Sequence, residues 1–378
     1  SADSLMWAGP TKPKLLIVGE AWGEHEERLG KPFAGSGAKE LWRMLGNAWE
    51  DHWPEEHSRV ETLIHEDSWV QEREAWLVSA GISLTTVFNF RPPGGNIAAL
   101  GSPTPSGLPP LARGSFLKEE YMPQLVRLRD EIERAKPNLI LACGNTATWA
   151  LLRATNIGSI RGAITESQVV GRAPLSRVWK ILPTYHPVGV LRQWSWRPIV
   201  VADLMKARRE MEFPEIRRPK REILVDPSLP DLLRWTTETI FARPRMLSVD
   251  IETAKQTITC IGFARAPGEA LVIPFHDPRR ASQSYWDTLE DELVAWECVQ
   301  TLLESGIPLL GQNFLYDLQY ITRMGILPRS CEHDSMLLHH SLFPEMQKGL
   351  GFLGSIYTDE PAWKLMRKRK ADTEKKDE

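Results

Sequence analysis

Apolar runs bounded by turn-forming residues recur along the first half of the chain, at LLIVGE (15–20), TTVFNF (85–90), NLILACG (138–144) and WKILPTYHP (179–187). Their length and composition predict strands, and the stretches between them, around 37–49, 115–135, 145–153 and 198–212, carry helix-like patterns. Strands alternating with helices predict a parallel α/β sheet. Residues 91–114 break the alternation with eleven glycines or prolines in 24 positions, so this loop is expected to be functional or mobile. A second alternation predicts strands near 246–251, 258–264, 270–274 and 308–311 and helices near 314–324 and 334–342.

The chain has 378 residues, enough for two domains or three small ones. FPEIRRPKREILVDPSLP (213–230), with four prolines and the basic knot RRPKR, reads as the linker. The expected division is therefore 1–212, a linker at 213–230, a second domain at 231–364 and a charged tail at 365–378 without periodicity. No window of about 18 apolar residues exists, which excludes a membrane-spanning helix, and no basic start leads into an apolar run, so no secretory signal is expected. Four cysteines, Cys143, Cys260, Cys298 and Cys331, form no CxxC pair and read as buried thiols of a reducing cytoplasm. The formal net charge of -3 means that a nucleic-acid partner would be met by a local basic surface.

The strand LLIVG runs into Glu20 and then a glycine-rich stretch, GEAWGEHEERLGKPFAGSG, at the carboxyl end of a parallel strand, where such sheets bind ligands. Gly19, Gly23, Gly30, Gly35 and Gly37 would let backbone amides approach a phosphate or a base. Such a loop alone is compatible with many ligands, or with none. His186, in PTYHPVGVLR, follows another strand, so Glu20, Phe33 and His186 are expected on one edge of one sheet.

GEAWG (19–23), GKPFAGSG (30–37), FRPPGGN and HPVGVLR occur in one order, and in that order they resemble the motifs of the uracil-DNA glycosylase superfamily, most nearly its family-four-like branch and phage DNA-polymerase-associated relatives. The resemblance covers roughly residues 13–212. It implies a parallel-sheet αβα domain, with Glu20 orienting water and stabilising the sugar cation, and His186 hydrogen-bonding the pyrimidine O2. It further implies Phe33 stacking on a flipped base, with Gly35, Ser36, Arg91, Leu191 and Arg192 against the DNA backbone. Cleavage through an oxocarbenium-like state needs such a carboxylate and such a donor. Three positions depart from the family: Trp22 replaces a proline, Phe90 stands where family-four members carry an iron–sulfur cysteine, and Thr86 replaces the asparagine that reads the base edge. No iron–sulfur cluster and no other cofactor is therefore expected in this domain. Asn89 is nearby, but strand alternation would turn it to the face opposite Thr86.

SVDIET places Asp250 and Glu252 two apart on one strand face, and GQNFLYDLQYI places Asn313 and Asp317 at i and i+4 on one helix face. Paired acids on one face point to Mg or Mn. Over residues 245–364 these motifs resemble the 3'-5' exonuclease domain of family A DNA polymerases, which implies an RNase H-like fold with Asp250, Glu252 and Asp317 as metal ligands. The third motif of that family, a Tyr followed by an Asp on a later helix, is not found, so the domain reads as incomplete. His339 and His340 read as helix packing. The expected partners are DNA, single-stranded or a duplex with a flipped base, and a DNA polymerase. The expected setting is the cytoplasm of a bacterial or phage-infected cell.

Overall fold

The computed structural model describes residues 7–50 and 69–361; the tail expected at 365–378 lies outside the described residues. Two compact units are present: Ser1–Ile216 together with Gly351–Glu378, and Arg217–Leu350. No helix among the described residues is long and apolar enough to cross a membrane.

In the first unit β1 (Leu15–Ala21) pairs in parallel with β2 (Ile82–Phe88). A small hairpin, β3 (Gly101–Ser102) and β4 (Phe116–Leu117), follows. Next come β5 (Leu139–Cys143), β6 (Thr165–Val170) and β7 (Ala173–Thr184), and the large sheet has the order β2-β1-β5-β7-β6. Its first four strands are parallel, and β6 is an antiparallel edge strand. Every residue of β2 and β5 is buried, because helices cover both faces of the sheet. Val18, Val87, Leu128, Ile140, Trp149 and Ile181 are among the residues of one core.

Two features differ from the sequence pattern. β6, TESQVV, is two-thirds polar and shows no clean period, because it is an edge strand with one face in solvent. The helix expected from 115 begins at Met122, since Phe116 and Leu117 are taken by β4. The Gly/Pro-rich stretch 91–114 is anchored by Leu100 and Leu108, both buried in the core.

The second unit contains β8 (Glu222–Leu224), β9 (Leu247–Ala254), β10 (Thr257–Ala266), β11 (Glu269–Pro274), β12 (Leu309–Gly311) and β13 (Cys331–Asp334). Its sheet order is β13-β12-β9-β10-β11-β8. β9, β10 and β11 form an antiparallel meander, and β12 and β13 continue the sheet in parallel beside β9, an RNase H-like arrangement. The helices Leu229–Ala242 and Leu289–Glu304 contribute Leu232, Trp235, Val299 and Leu302 to its core. The stretch expected as linker is partly structured: β8 pairs with β11, and Ser228 caps the helix that starts at Leu229.

Residues 351–360, expected in the second domain, instead belong to the first unit. The reason is a buried charged cluster. Lys206 Nζ donates to the carbonyls of Gly162 (2.7 Å), Ser355 (2.7 Å) and Thr358 (2.8 Å), two of which come from the segment containing the helix Leu350–Tyr357. Arg161 pairs with Asp203 at 2.7 Å, both side chains being 1% exposed, and Arg161 also donates to the Ser355 hydroxyl. Asp203 accepts in addition from Thr184 at 2.6 Å, at the end of β7. A buried ammonium needs all of its partners, and removing it takes a donor from three carbonyls. Lys206→Met is expected to destabilise the first unit by about 3 kcal/mol, read as a lower urea midpoint at an unchanged slope.

Candidate active site

Glu20, Thr86, Gly144 and His186 come together because β1, β2, β5 and β7 are parallel and end on one edge. They line a cleft of about 530 Å³, together with Phe33, Ser36, Tyr185 and Arg192. Its walls are set by a buried carboxylate absent from the sequence expectations. Glu26 Oε1 accepts from the backbone N–H groups of Ala34 (2.7 Å) and Gly35 (2.8 Å), and Oε2 from that of Gly23 (3.0 Å). The two glycine-rich loops are thereby tied to each other. The amides of Gly23 and Gly35, expected to face a phosphate, are occupied by this carboxylate instead.

Phe33 adopts a left-handed backbone (φ 55°) and is 6% exposed. Its ring lies against Gly19, where an added Cβ would stand 2.6 Å from Phe33 Cζ. The strained loop is held from behind by Arg73, a buried residue on the helix Trp69–Ala80 that donates to the carbonyls of Phe33 and Pro32. Burial pushes the Arg73 guanidinium below its ordinary pKa, with Glu74 opposing that shift. Arg73 carried no signal in the sequence, because it sits in a helix far from every motif.

Glu20 accepts a hydrogen bond from the hydroxyl of Thr146, on the helix Gly144–Leu152 that leaves β5. A strand running into Gly-Asn-Thr at a helix start is the sequence signal that could have flagged it. His186 is half-buried at the start of the helix Pro187–Arg192, and its Nδ1 accepts from the Val188 backbone N–H at 3.2 Å. That bond leaves Nδ1 unprotonated, so the neutral ring carries its proton on Nε2. Desolvation pushes the His186 pKa below its ordinary value, although Glu20 and Glu26 pull it up. Gly144 permits this placement: its φ is +85°, and an added Cβ would stand 2.8 Å from His186 Cβ.

Thr86 is 3% exposed, and its hydroxyl lies 2.6 Å from Asn89 Oδ1 and 3.0 Å from the Phe88 carbonyl. The expectation that Asn89 faces away from Thr86 is corrected: β2 ends at Phe88, so alternation stops and Asn89 folds back. Phe90 stacks on Tyr121 at 5.6 Å. Trp22 lines the cleft, with its indole N–H buried and without a hydrogen-bond partner among the described residues. Arg91 lies 3.8 Å from both Glu24 and Glu27, and neither Arg91 nor the exposed Leu191 lines the cleft.

In the second unit Asp250 and Glu252 project from one exposed face of β9, and Asp317 is buried on the helix Phe314–Arg323. Asp317 Oδ1 accepts from the Ile251 N–H at 2.9 Å. Burial first, and the charges of Asp250 and Asp334, push the Asp317 carboxyl up to about 6. Asn313 does not share a helix face with Asp317: it is the left-handed residue (φ 54°) before the helix. Asp334, also missed, accepts from the N–H groups of Asn313, Phe314 and Met336 and so joins two helix starts. His339 is buried against Phe343, and His340 is exposed. Tyr357 and Asp359, too closely spaced for the third exonuclease motif, belong to the first unit. Among the described residues no three His, Cys, Asp or Glu side chains are grouped to hold a metal ion.

The fold and cleft define an α/β protein with a carboxylate and a neutral imidazole facing one pocket. The family profile described as "Uracil DNA glycosylase superfamily" matches residues 6–210, and the chain belongs to that superfamily. The type-4 uracil-DNA glycosylase of Saccharolobus solfataricus is 24% identical over 213 residues, 55% of this chain and 76% of that protein. That of Archaeoglobus fulgidus is 26% identical over 203 residues, 52% of this chain and 77% of that protein. Among solved structures, the EXD2 exonuclease domain soaked in Mg and GMP matches with a TM-score of 0.23 and 13% identity, over 37% of this chain and 70% of that one. The Trypanosoma brucei RNase D:GMP complex matches with a TM-score of 0.23 and 14% identity, over 37% of this chain and 48% of that one.

Two outcomes follow from the electrostatics. The His186 imidazole is expected to titrate below 6.5, with its proton on Nε2 above that midpoint, and long-range ¹H–¹⁵N spectra of labelled protein read both. Asp317 has a folded pKa above its unfolded one, so its contribution to stability is fully present below about pH 4 and lost as pH rises through about 6. In buffer with chelator, Asp317→Asn is expected to gain stability over the parent between pH 4 and 7, by on the order of 1–3 kcal/mol, read from melting curves across that range.

Proposed function

We propose that the first unit is a DNA glycosylase that hydrolyses the N-glycosidic bond of uracil or a related pyrimidine. The observation that carries this reading is the neutral His186, with its N–H aimed from a ring pinned at Nδ1, in the same cleft as the Glu20 carboxylate and the Phe33 ring. A flipped base would stack on Phe33, which offsets part of the unstacking cost. As the C1'–N1 bond breaks, the sugar gains positive charge and the base negative charge. Glu20, its orientation set by Thr146, stabilises the sugar cation and directs the water that adds to C1'. His186 donates through Nε2 to the developing oxyanion at O2, and a neutral donor suits this role because it holds the hydrogen bond without giving up the proton. Ser36 and Arg192, at the cleft, would contact the strand. Gly35, also at the cleft, would contact it as well, and Arg91 and Leu191 would contact it nearby. Neither a metal nor an iron–sulfur cluster enters this chemistry.

The second unit is read as a polymerase-type exonuclease-like module that contacts DNA, linked to replication through a DNA polymerase, with little nuclease activity of its own. Supporting this, Asp250, Glu252 and Asp317 stand where the exonuclease resemblance implies metal ligands, while the third motif of that family, a Tyr followed by an Asp on a later helix, is not found in the sequence. Mg or Mn would be the ion such acids attract.

With a single-stranded oligonucleotide carrying one uracil, in chelator, alkali-labile sites are expected to accumulate. Glu20→Gln and His186→Ala are each expected to slow this by about 10²-fold or more. Base release that strictly requires a metal, or a near-normal rate in either variant, contradicts the reading.

A further inference from the structure

The base-reading wall of the cleft has an unusual polarity, and the inference drawn from it rests on the glycosylase reading above. Thr86 lies at the end of β2, directly beside Gly19 in the register of the sheet, and lines the cleft. A hydroxyl has one hydrogen to donate and two lone pairs. The Thr86 oxygen lies 2.6 Å from Asn89 Oδ1 and 3.0 Å from the Phe88 carbonyl oxygen, both acceptors inside the protein. Turning the Asn89 amide over does not release the hydrogen: the amide would then donate to Thr86, and the hydroxyl would still have the Phe88 carbonyl to bond. In either arrangement the hydrogen is spent inside the protein and a lone pair is left over.

The neighbourhood keeps it so. Arg127 donates to the carbonyls of Thr86 (2.6 Å) and Val87 (2.9 Å) and pairs with Glu131 at 2.7 Å. Gln124 accepts from the Asn89 N–H at 3.2 Å and from Arg127 Nε at 3.1 Å. Thr86 and Asn89 are both buried, so water does not compete for the hydroxyl hydrogen.

We propose that Thr86 is a fixed hydrogen-bond acceptor in the cleft wall, and that it selects pyrimidines presenting an N–H toward it. A ring imide N–H of a uracil-type base and an exocyclic amino group of a cytosine-type base both satisfy such an acceptor. A 4-oxo oxygen gains nothing there. The site therefore tells bases with a donor on this edge from bases without one, and separates 4-oxo from 4-amino pyrimidines poorly.

The test uses the full chain and oligonucleotides in which one 2'-fluoro nucleotide, resistant to hydrolysis, carries uracil, cytosine or pyrimidin-2-one, the last lacking both the N3 hydrogen and any group at C4. Affinities are read by fluorescence anisotropy. Uracil and cytosine are expected within about 10-fold of each other, and both about 5-fold or more tighter than pyrimidin-2-one, the scale of one hydrogen bond. Thr86→Val is expected to erase that gap and Thr86→Ser to keep it. A uracil preference over cytosine above about 100-fold, or a gap that persists in Thr86→Val, overturns the proposal while leaving the glycosylase reading intact. Pyrimidin-2-one bound as tightly as uracil by the parent also overturns it. An absence of both base release and any preference for the modified strands over a purine-only strand removes the glycosylase reading, and the proposal with it.

Discussion

The first unit depends on one buried carboxylate. Glu26 gathers three backbone N–H groups from two loops that sequence separates by a short helix; the first follows the strand that carries Glu20, and the second carries the aromatic wall of the cleft. Charge-assisted bonds of this kind are about twice as strong as neutral ones, and they leave no buried amide unpaired. Without it, Phe33 would have little reason to stay in a left-handed conformation, and Glu20 would face an open loop rather than a pocket. Arg73 closes the same loop from the outside. Strain at Phe33 is thus held between an anion on one side and a cation on the other.

The remaining chemistry depends on backbone more than on side chains. One amide, that of Val188, decides which nitrogen of His186 carries the proton, and a strand end that runs on into Asn89 decides how the Thr86 hydroxyl is used. Space matters equally. The His186 Cβ and the Phe33 ring each rest against a glycine where a single methyl group would collide. Reactive groups are rigid here because their neighbours leave them one arrangement.

Both units bury acids. In the first, Asp203 meets Arg161, Thr184 and Lys206, yet burial still pushes its carboxyl above the ordinary range, and Glu26 meets three amides. In the second, Asp317 accepts from the Ile251 amide, and burial first, then the neighbouring acids Asp250 and Asp334, keeps its proton held more tightly than usual.

Much of this protein is decided by its sequence alone. Apolar strand segments at fixed intervals specify two α/β units, and a parallel sheet must bring Glu20, Thr86 and His186 to one edge because every parallel strand ends there. The motifs around Glu20, Phe33 and His186 were legible for that reason. Tertiary structure decided what no local pattern encodes. Arg73 lies in unremarkable helical sequence, and only the approach of a distant loop gives it the Phe33 and Pro32 carbonyls as partners. The parity rule failed at Asn89 because it holds only while the strand continues. The segment 351–360 follows the second unit in sequence but packs with the first, because the buried Lys206 takes its carbonyls wherever the chain supplies them. Periodicity reports which face of an element is buried; the partner that satisfies a buried polar group is set by three-dimensional proximity, which periodicity does not carry.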